Sequence, residues 1–347
     1  MGEARPAAGP DTRPRRREVS MADVAAMAGV SGQTVSRVAN GRENVDPETR
    51  ARVQDAMAKL GYRPNSAARA LRSGRFRSIG VIMFSLASYG NTRTLDAVAS
   101  VAAEAGYSLT VITVQSATQS DVSGAFVRLA EHAVDGVIIL IETHRLGERE
   151  LALPTGLPVV VVDSSADYPY PVVDNDQALG ARLATEHLLD LGHDTVNHIS
   201  GPRESFAAER RRAAWHDTLV ARGARVPEVH VGDWTAESGY EIGRALAADD
   251  AVTAVFAAND RMALGLLRAM HEADRPVPAS ISVVGYDDAP ESANFWPPLT
   301  TVRQHFDRIG AAAVRSLLTE IDGGEVPAER TLVPTELVVR ASSGTRA

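Results

Sequence analysis

Residues 20–40, SMADVAAMAGVSGQTVSRVAN, read as two short helices joined by a tight turn. Ser20 is a natural N-cap, and Asp23 stands where the reciprocal carboxylate of a capping box belongs. The first helix runs through Val24, Ala25 and Ala28 to Gly29, a C-terminal stop. Ser31 caps the second helix, and its Val35 and Val38, at helical spacing, face inward. Gln33, Ser36 and Arg37 are left pointing outward. Glutamine and arginine are side chains that pair bidentately with adenine and guanine edges in the major groove. The pattern is that of a helix-turn-helix whose second helix reads bases.

The charge distribution supports this reading. The chain of 347 residues carries a net charge of −8, which taken alone argues against nucleic acid as a partner. Residues 1–75, however, hold 14 Arg or Lys against 8 Asp or Glu, and the remainder holds 22 against 36. A small basic head on a large acidic body confines phosphate contacts to the head. Hydrophobic content of 44% and charged content of 23% are ordinary for a globular protein. There is no cysteine, which excludes disulfides, thiolate metal sites and a thiol nucleophile. No apolar run approaches the roughly 20 residues a membrane-spanning helix needs. Residues 1–18 are basic and Pro-rich, without the apolar centre of a signal peptide, and read as a disordered tail. The expectation is a cytoplasmic protein, at the nucleoid when bound to DNA, with no membrane partner.

A third helix opens at Asp46–Pro47–Glu48 and stops at Gly61, with Val53, Met57 and Leu60 closing a small core. Residues 65–75 include NSAARALRSG, a short stretch of small residues with one apolar point at Leu71. It reads either as a flexible linker or as a hinge helix that folds against DNA, Leu71 wedging between base steps. From Ser78 onward, apolar strands alternate with amphipathic helices. IGVIMF, SLTVITV, DGVIILI and PVVVVD are continuous runs expected of parallel strands covered on both faces. Helical patterns follow at about 92–105 and 119–133, then a helix over 176–191. A second set of strands falls near VNHIS, VHVGD, AVFAAND and SISVVGYDD. Two doubly wound α/β lobes follow, with a ligand cleft at the carboxyl ends of their strands.

Polar residues sit at those ends: Asp163, Asn259, Asp260, Asp287 and Asp288, with Arg211 in ERRRAAW and Trp234 after VHVGD. Short acceptors with one arginine suit a polyol, and an indole face stacks on a sugar ring. Asp260 and Asp288 read better as helix N-caps, and Asp163, Arg211, Asn259 and Asp287 as one shared site. An enzyme has little support. Asp287 and Asp288 are adjacent on a strand end and point to opposite faces, and no nucleophile elbow, P-loop, HExxH or GxGxxG occurs. His187, His193 and His198 lack metal-ligand spacing, so neither metal nor cofactor is expected. A sugar-transport protein would have no need of residues 19–75.

Taken with MADVAAMAGVSGQTVSRVANG, VDPETRARV, LGYRPNSAARAL, HLLDLGH, AANDRMALG, ISVVGYDD and PPLTTV, the chain resembles the lactose-repressor (LacI/GalR) family of bacterial transcription regulators. The resemblance runs from about Val19 to Arg340. It implies an all-α helix-turn-helix headpiece (19–64), a hinge helix (65–75) and a bilobal regulatory domain (76–347) like periplasmic sugar-binding proteins. Its N-lobe would comprise about 76–175 and 305–333, and its C-lobe about 176–304 and 334–345. It also implies a homodimer on a pseudo-palindromic DNA operator. Ser31, Gln33 and Arg37 align with base- and backbone-contacting positions; Ser20, Thr34, Asn40 and Asn44 align mainly with backbone-contacting ones. Leu71 aligns with the hinge leucine. Asp163, Arg211, Trp234, Asn259, Asp287 and Gln304 align with sugar-holding positions of the family's namesake, with Phe306 close by. Gly32 stands where the namesake has a base-reading tyrosine, so a different half-site is implied. Leu140 replaces a cleft asparagine, Phe84 a rim serine, and Gly90–Asn91 a small apolar pair. The implied function is a repressor controlled by a sugar inducer, with a β-galactoside as the leading candidate. The alternative is a purine-like corepressor. No leucine heptad follows the last strand, so a dimer rather than a tetramer is expected.

Overall fold

A computed structural model describes residues 19–39, 41–42, 44–62, 74–84, 88–114, 119–140, 156–162, 170–327 and 330–346. The basic tail, Asn40, Leu71, Asp163 and all but the last two residues of the expected hinge helix lie outside them. The chain divides into two compact units, Met1–Arg75 and Phe76–Ala347.

The first unit is built from α1 (Met21–Ala28), α2 (Gly32–Ala39) and α3 (Pro47–Leu60). Ser20 and Asp23 form the expected capping box: Ser20 N donates to Asp23 Oδ2 at 2.8 Å, and Asp23 N donates to Ser20 Oγ. Gly29 ends α1 with φ +64°, a conformation that favours glycine. Thr34 N donates to Ser31 Oγ at 3.1 Å, so Ser31 caps α2. Asp46 accepts from Thr49 N at 3.0 Å at the start of α3, and that backbone hydrogen bond holds its carboxyl below the usual carboxylate range. The core is Val24, Ala28, Val35, Val38, Val53 and Ala56. Met57 and Leu60 only flank it. Each fully buried valine there contributes roughly 1.5–3 kcal/mol, a thin margin for so small a unit.

The second unit contains two six-stranded sheets. The first includes β1 (Ser78–Met83), β2 (Ser108–Thr113), β3 (Gly136–Leu140), β4 (Val159–Val162) and β5 (Val172–Asn175). Helices α4 (Tyr89–Glu104) and α5 (Gln119–Glu131) connect its strands. The second sheet includes β6 (Asn197–Ser200), β7 (His230–Val231), β8 (Ala254–Ala257), β9 (Ser282–Asp287) and β10 (Thr300–Arg303). It is accompanied by α6 (Gln177–Asp190), α7 (Phe206–Ala221), α8 (Ala236–Ala247) and α9 (Asp260–Glu272). The chain then runs through α10 (Phe306–Ile321) to β11 (Arg330–Val333), which pairs with β5 in the first sheet, and β12 (Glu336–Val338), antiparallel to β10 in the second. Strand orders are β11-β5-β4-β3-β1-β2 and β12-β10-β9-β8-β6-β7, parallel except for β12. Alternation fills both faces of the first sheet: Ile138 and Leu140 enter one core while Val137 and Ile139 enter the other.

The chain therefore passes between the sheets three times, at Asp176, at Gln304–His305 and at residues 334–335. Hydrogen bonds tie two of these crossings side by side: Asp176 N donates to Val333 O at 2.8 Å, and Thr335 Oγ1 donates to Asp176 O at 3.0 Å.

Two strands depart from expectation. SLTVITV does not form a strand covered on both faces: β2 pairs only with β1 at the sheet edge, and its Val111 is 41% exposed. VHVGD yields only His230–Val231, also an edge. Among the described residues no helix is long and apolar enough to cross a membrane, and no group of three or more His, Asp or Glu is placed to hold a metal.

Helices α8 and α9 pack nearly backbone to backbone. A Cβ on Gly265 would fall 1.8 Å from Ala236 O, and one on Gly239 2.2 Å from Met262 O. Gly265→Ala must push the helices apart, at about 1–3 kcal/mol for overpacking. Thermal denaturation should show a midpoint lowered by several degrees; an unchanged midpoint contradicts the close approach.

Candidate ligand cleft and base-reading helix

In the first unit the outward face of α2 carries the expected groups. Gln33 and Arg37 are exposed, as are Ser20, Ser31 and Asn44. Thr34 is half-buried. So is Ser36, which reads as outward-pointing in the sequence but flanks the buried Val35. A Cβ on Gly32 would meet nothing within 4 Å, so glycine there leaves bare a position with room for any side chain.

The second unit holds a cleft of about 720 Å³, part of it open to solvent. Arg211, Trp234, Asn259, Asp287, Gln304 and Phe306 all line it. Asp163 lies outside the described residues, so its place in the set is not part of this geometry.

Arg211 is the centre of the arrangement, only 4% exposed. Its guanidinium carbon lies 3.7 Å from the Tyr286 ring centroid and 5.6 Å from that of Trp234. Nη1 donates to Ala258 O, and Nε donates to Gln177 Oε1 at 2.8 Å. Gln177 Nε2 donates to Gln304 Oε1 at 3.2 Å, and Gln304 Nε2 donates to Asp287 Oδ1 at 2.7 Å. The two ends fix the direction of this relay. A guanidinium can only donate and a carboxylate only accept, so both amides are oriented without ambiguity. Because Gln177 opens α6 and Gln304 lies in the β10–α10 crossing, the relay also bonds two of the crossings to one another.

Asn259 carries a second duty. It is the N-cap of α9, accepting from Met262 N at 2.8 Å, while its Nδ2 donates to Trp234 O at 3.0 Å. Asp260, expected to be a cap, is instead a buried hub. It accepts from Thr301 Oγ1, Ser292 Oγ and Ala289 N, bracing the loop that follows Asp287. Asp288 is not a cap either; it pairs with Arg303 and Arg340 at 2.6 Å each. The caps were misassigned because a short acceptor in any strand-to-helix turn looks alike in sequence, and only the chain's path decides which one meets the first free N–H.

The backbone is strained where the polar groups meet. Trp234 has φ +71°, Asp287 +120° and Asp288 +51°, values that side-chain-bearing residues hold only when their surroundings enforce them. The Trp234 indole covers Gly201, where a Cβ would fall 2.2 Å from the ring. Tyr89 packs edge-on against Phe306 at 5.8 Å. Burial, and then the charge of Asp287, push its phenol up to about 12, so it is a neutral hydroxyl. Leu140 lines the cleft as an apolar patch, whereas Phe84 packs against the core of the first sheet.

Sequence reasoning did not single out Tyr89, Thr94, Asn175, Gln177, Ser205 or Arg261, all of which line the cleft. Gln177 had a findable signal, since it follows a strand and opens a helix at the expected cleft edge. Tyr89 and Thr94 on α4 had none.

Asp260 gives a pH test. Burial pushes its carboxyl up to about 6, so the folded state holds that proton more tightly than the unfolded chain does. The resulting stabilisation is full below the unfolded carboxylate value near 3.8 and is lost as pH rises through about 6. Urea midpoints of the wild type should therefore gain on those of Asp260→Asn as pH falls from about 7 to about 4. A gap independent of pH contradicts this.

Comparisons with known proteins agree with both units. Residues 20–65 match the family model described as bacterial regulatory proteins, lacI family, and residues 185–343 match a periplasmic binding protein-like domain. The chain is 36% identical over 330 residues to the lactose operon repressor of Escherichia coli (strain K12), covering 94% of this chain and 91% of that protein. It is 35% identical over 347 residues to the HTH-type transcriptional regulator CelR of Thermobifida fusca, covering 94% and 99%. Among solved structures, the lac repressor dimer bound to operator and the anti-inducer ONPF superposes with TM-score 0.82 at 36% identity, covering 95% of this chain and 100% of that one. A CelR–cellobiose complex superposes with TM-score 0.69 at 31% identity, covering 94% and 100%. These relatives are transcriptional regulators and not enzymes.

Proposed function

The chain belongs to the lacI family of bacterial regulatory proteins, and from that premise we propose that it is a homodimeric, operator-binding transcriptional repressor controlled by an uncharged sugar. The observation that carries the ligand class is the relay from Arg211 to Asp287. Its two ends have opposite charges, so a guest that meets both of them need carry no charge of its own. Arg211 Nη2 and the Asp287 carboxylate supply a donor and an acceptor for adjacent hydroxyls, and the Trp234 and Phe306 rings supply apolar faces. A relative with this fold is described as a complex with cellobiose, and another as the lactose operon repressor. Asp163 joins the set on the strength of the family resemblance.

On the DNA side, Gln33 and Arg37 reach base edges. Ser31 shares in base and backbone contacts, Ser36 adds to the DNA-facing surface, Ser20, Thr34, Asn40 and Asn44 serve mainly backbone positions, and Leu71 serves the hinge. Paired headpieces in a dimer match a pseudo-palindrome one half-site each. Sugar binding weakens DNA affinity to the extent that it favours the low-affinity arrangement, with a coupling typically about 1–3 kcal/mol.

The test is anisotropy of labelled pseudo-palindromic duplexes, titrated at low salt with and without a panel of sugars. Arg37→Ala should weaken specific binding by about 1–3 kcal/mol and leave sugar binding unchanged. Arg211→Ala should still bind DNA but no longer respond to the sugar. No binding to any such duplex overturns the repressor reading, and an undiminished response in Arg211→Ala overturns the cleft assignment.

A further inference from the structure

Two tyrosine hydroxyls lie within the electrostatic reach of Asp287, and they are engaged differently. Tyr286 is fully buried in the core of the second sheet, and its Oη donates to Gln177 O at 3.3 Å. Tyr89 is half-buried and lines the ligand cleft. Its Oη makes no hydrogen bond among the described residues, and it is not one of the polar atoms sealed from solvent.

The ring that carries this hydroxyl is held in place. Tyr89 opens α4, whose cap Ser88 accepts from Asn91 N at 3.4 Å. The ring meets Phe306, the first residue of α10, edge-on. Helices α4 and α10 approach so closely that a Cβ on Gly310 would fall 2.5 Å from Ala97 Cβ. One on Gly90 would fall 3.5 Å from the Phe306 ring. A hydroxyl fixed by packing loses little freedom when a guest engages it.

The surroundings of Tyr89 define the guest. Burial first, and then the charge of Asp287, keep the proton on the phenol oxygen; Glu291 and Asp260 act the same way and Arg93 the opposite. Tyr89 Oη is therefore available as a donor, whereas the Asp287 carboxylate can only accept. A phenol and a carboxylate that are not bonded to one another are both satisfied by a group that accepts from the first and donates to the second. An alcohol does both.

We propose that Tyr89 Oη is a specificity-determining donor that, together with Asp287, selects one hydroxyl of the guest. The oxygen of that hydroxyl accepts from Tyr89, and its proton is donated to the Asp287 carboxylate. The proposal rests on the reading of the cleft as a sugar site and deepens it. Tyr89 acts from α4, which follows the first strand of the first sheet, and Asp287 from the end of β9 in the second, so one ligand hydroxyl is held from both sheets.

The experiment is calorimetric titration of the full chain and of Tyr89→Phe, which keeps the ring, with glucose, galactose, ribose, lactose and cellobiose. The sugar that binds the wild type best is then followed through its monodeoxy derivatives. Loss of one hydrogen bond weakens binding by about tenfold. The expected result is that Tyr89→Phe loses about this much for the parent sugar. Removing the oxygen at one sugar position should cost the wild type about tenfold more than it costs Tyr89→Phe, and removal elsewhere should cost both proteins equally. The ligand-free melting midpoints should coincide, because Oη has no partner to lose.

Parent-sugar affinity in Tyr89→Phe within twofold of the wild type overturns the proposal and leaves the cleft reading standing. So do equal losses in both proteins at every sugar position. A ligand-free midpoint several degrees lower in Tyr89→Phe also overturns it, since the hydroxyl would then serve the fold and not the guest. Failure of the wild type to bind any of the five sugars removes the sugar reading itself, and this proposal with it.

Discussion

The regulatory unit depends on how one buried positive charge is held. Arg211 is almost fully removed from water, and a guanidinium there is tolerable only if its donors are met and its charge answered. The Tyr286 face, Ala258 O and Gln177 meet it directly, and Asp287 answers its charge through two amides. Because those amides belong to chain crossings between the sheets, the same bonds that make Arg211 affordable also set the relation of the two sheets. Anything that inserts between Arg211 and Asp287 competes with the relay.

Strain concentrates in the same place. Asp287 and Asp288 occupy positive φ at the end of β9, and the loop after them is held by Asp260 and by the pairs Asp288 makes with Arg303 and Arg340. A carboxylate raised toward neutral pH in this brace, at about 6, shows how strongly burial outweighs its three hydrogen bonds. The brace aims Asp287; it does not itself reach into the cleft.

Much of this was legible in sequence. Capping residues at Ser20, Ser31 and Asp46 and the period of Val24, Val35 and Val38 defined the headpiece, because a three-helix unit this small has few alternatives. Continuous apolar runs located most of the strands, since strands covered on both faces leave no room for polar residues. What failed were features set by neighbours distant in sequence. The edge position of β2, the capping of α9 by Asn259 with Asp260 instead buried as a brace, and the relay through Gln177 and Gln304 depend on which segments become adjacent, and no local pattern carries that. Trp234 and Asp287 were identifiable from their places after strands and their side-chain chemistry, and Arg211, inside α7, from its chemistry alone. Gln304 and Phe306 came only from family resemblance, and Asn175 from neither.

The relay ends in one positive and one negative group, and on that ground the proposed guest is an uncharged polyol. The most direct test is calorimetry of the wild type with a sugar that it binds and with the phosphorylated form of the same sugar, under one buffer and salt condition. Binding of the neutral sugar, with loss of measurable heat for the phosphorylated one, is the predicted result. Equal or tighter binding of the phosphorylated sugar would contradict that proposal, because the guest would then carry a charge that the relay does not call for.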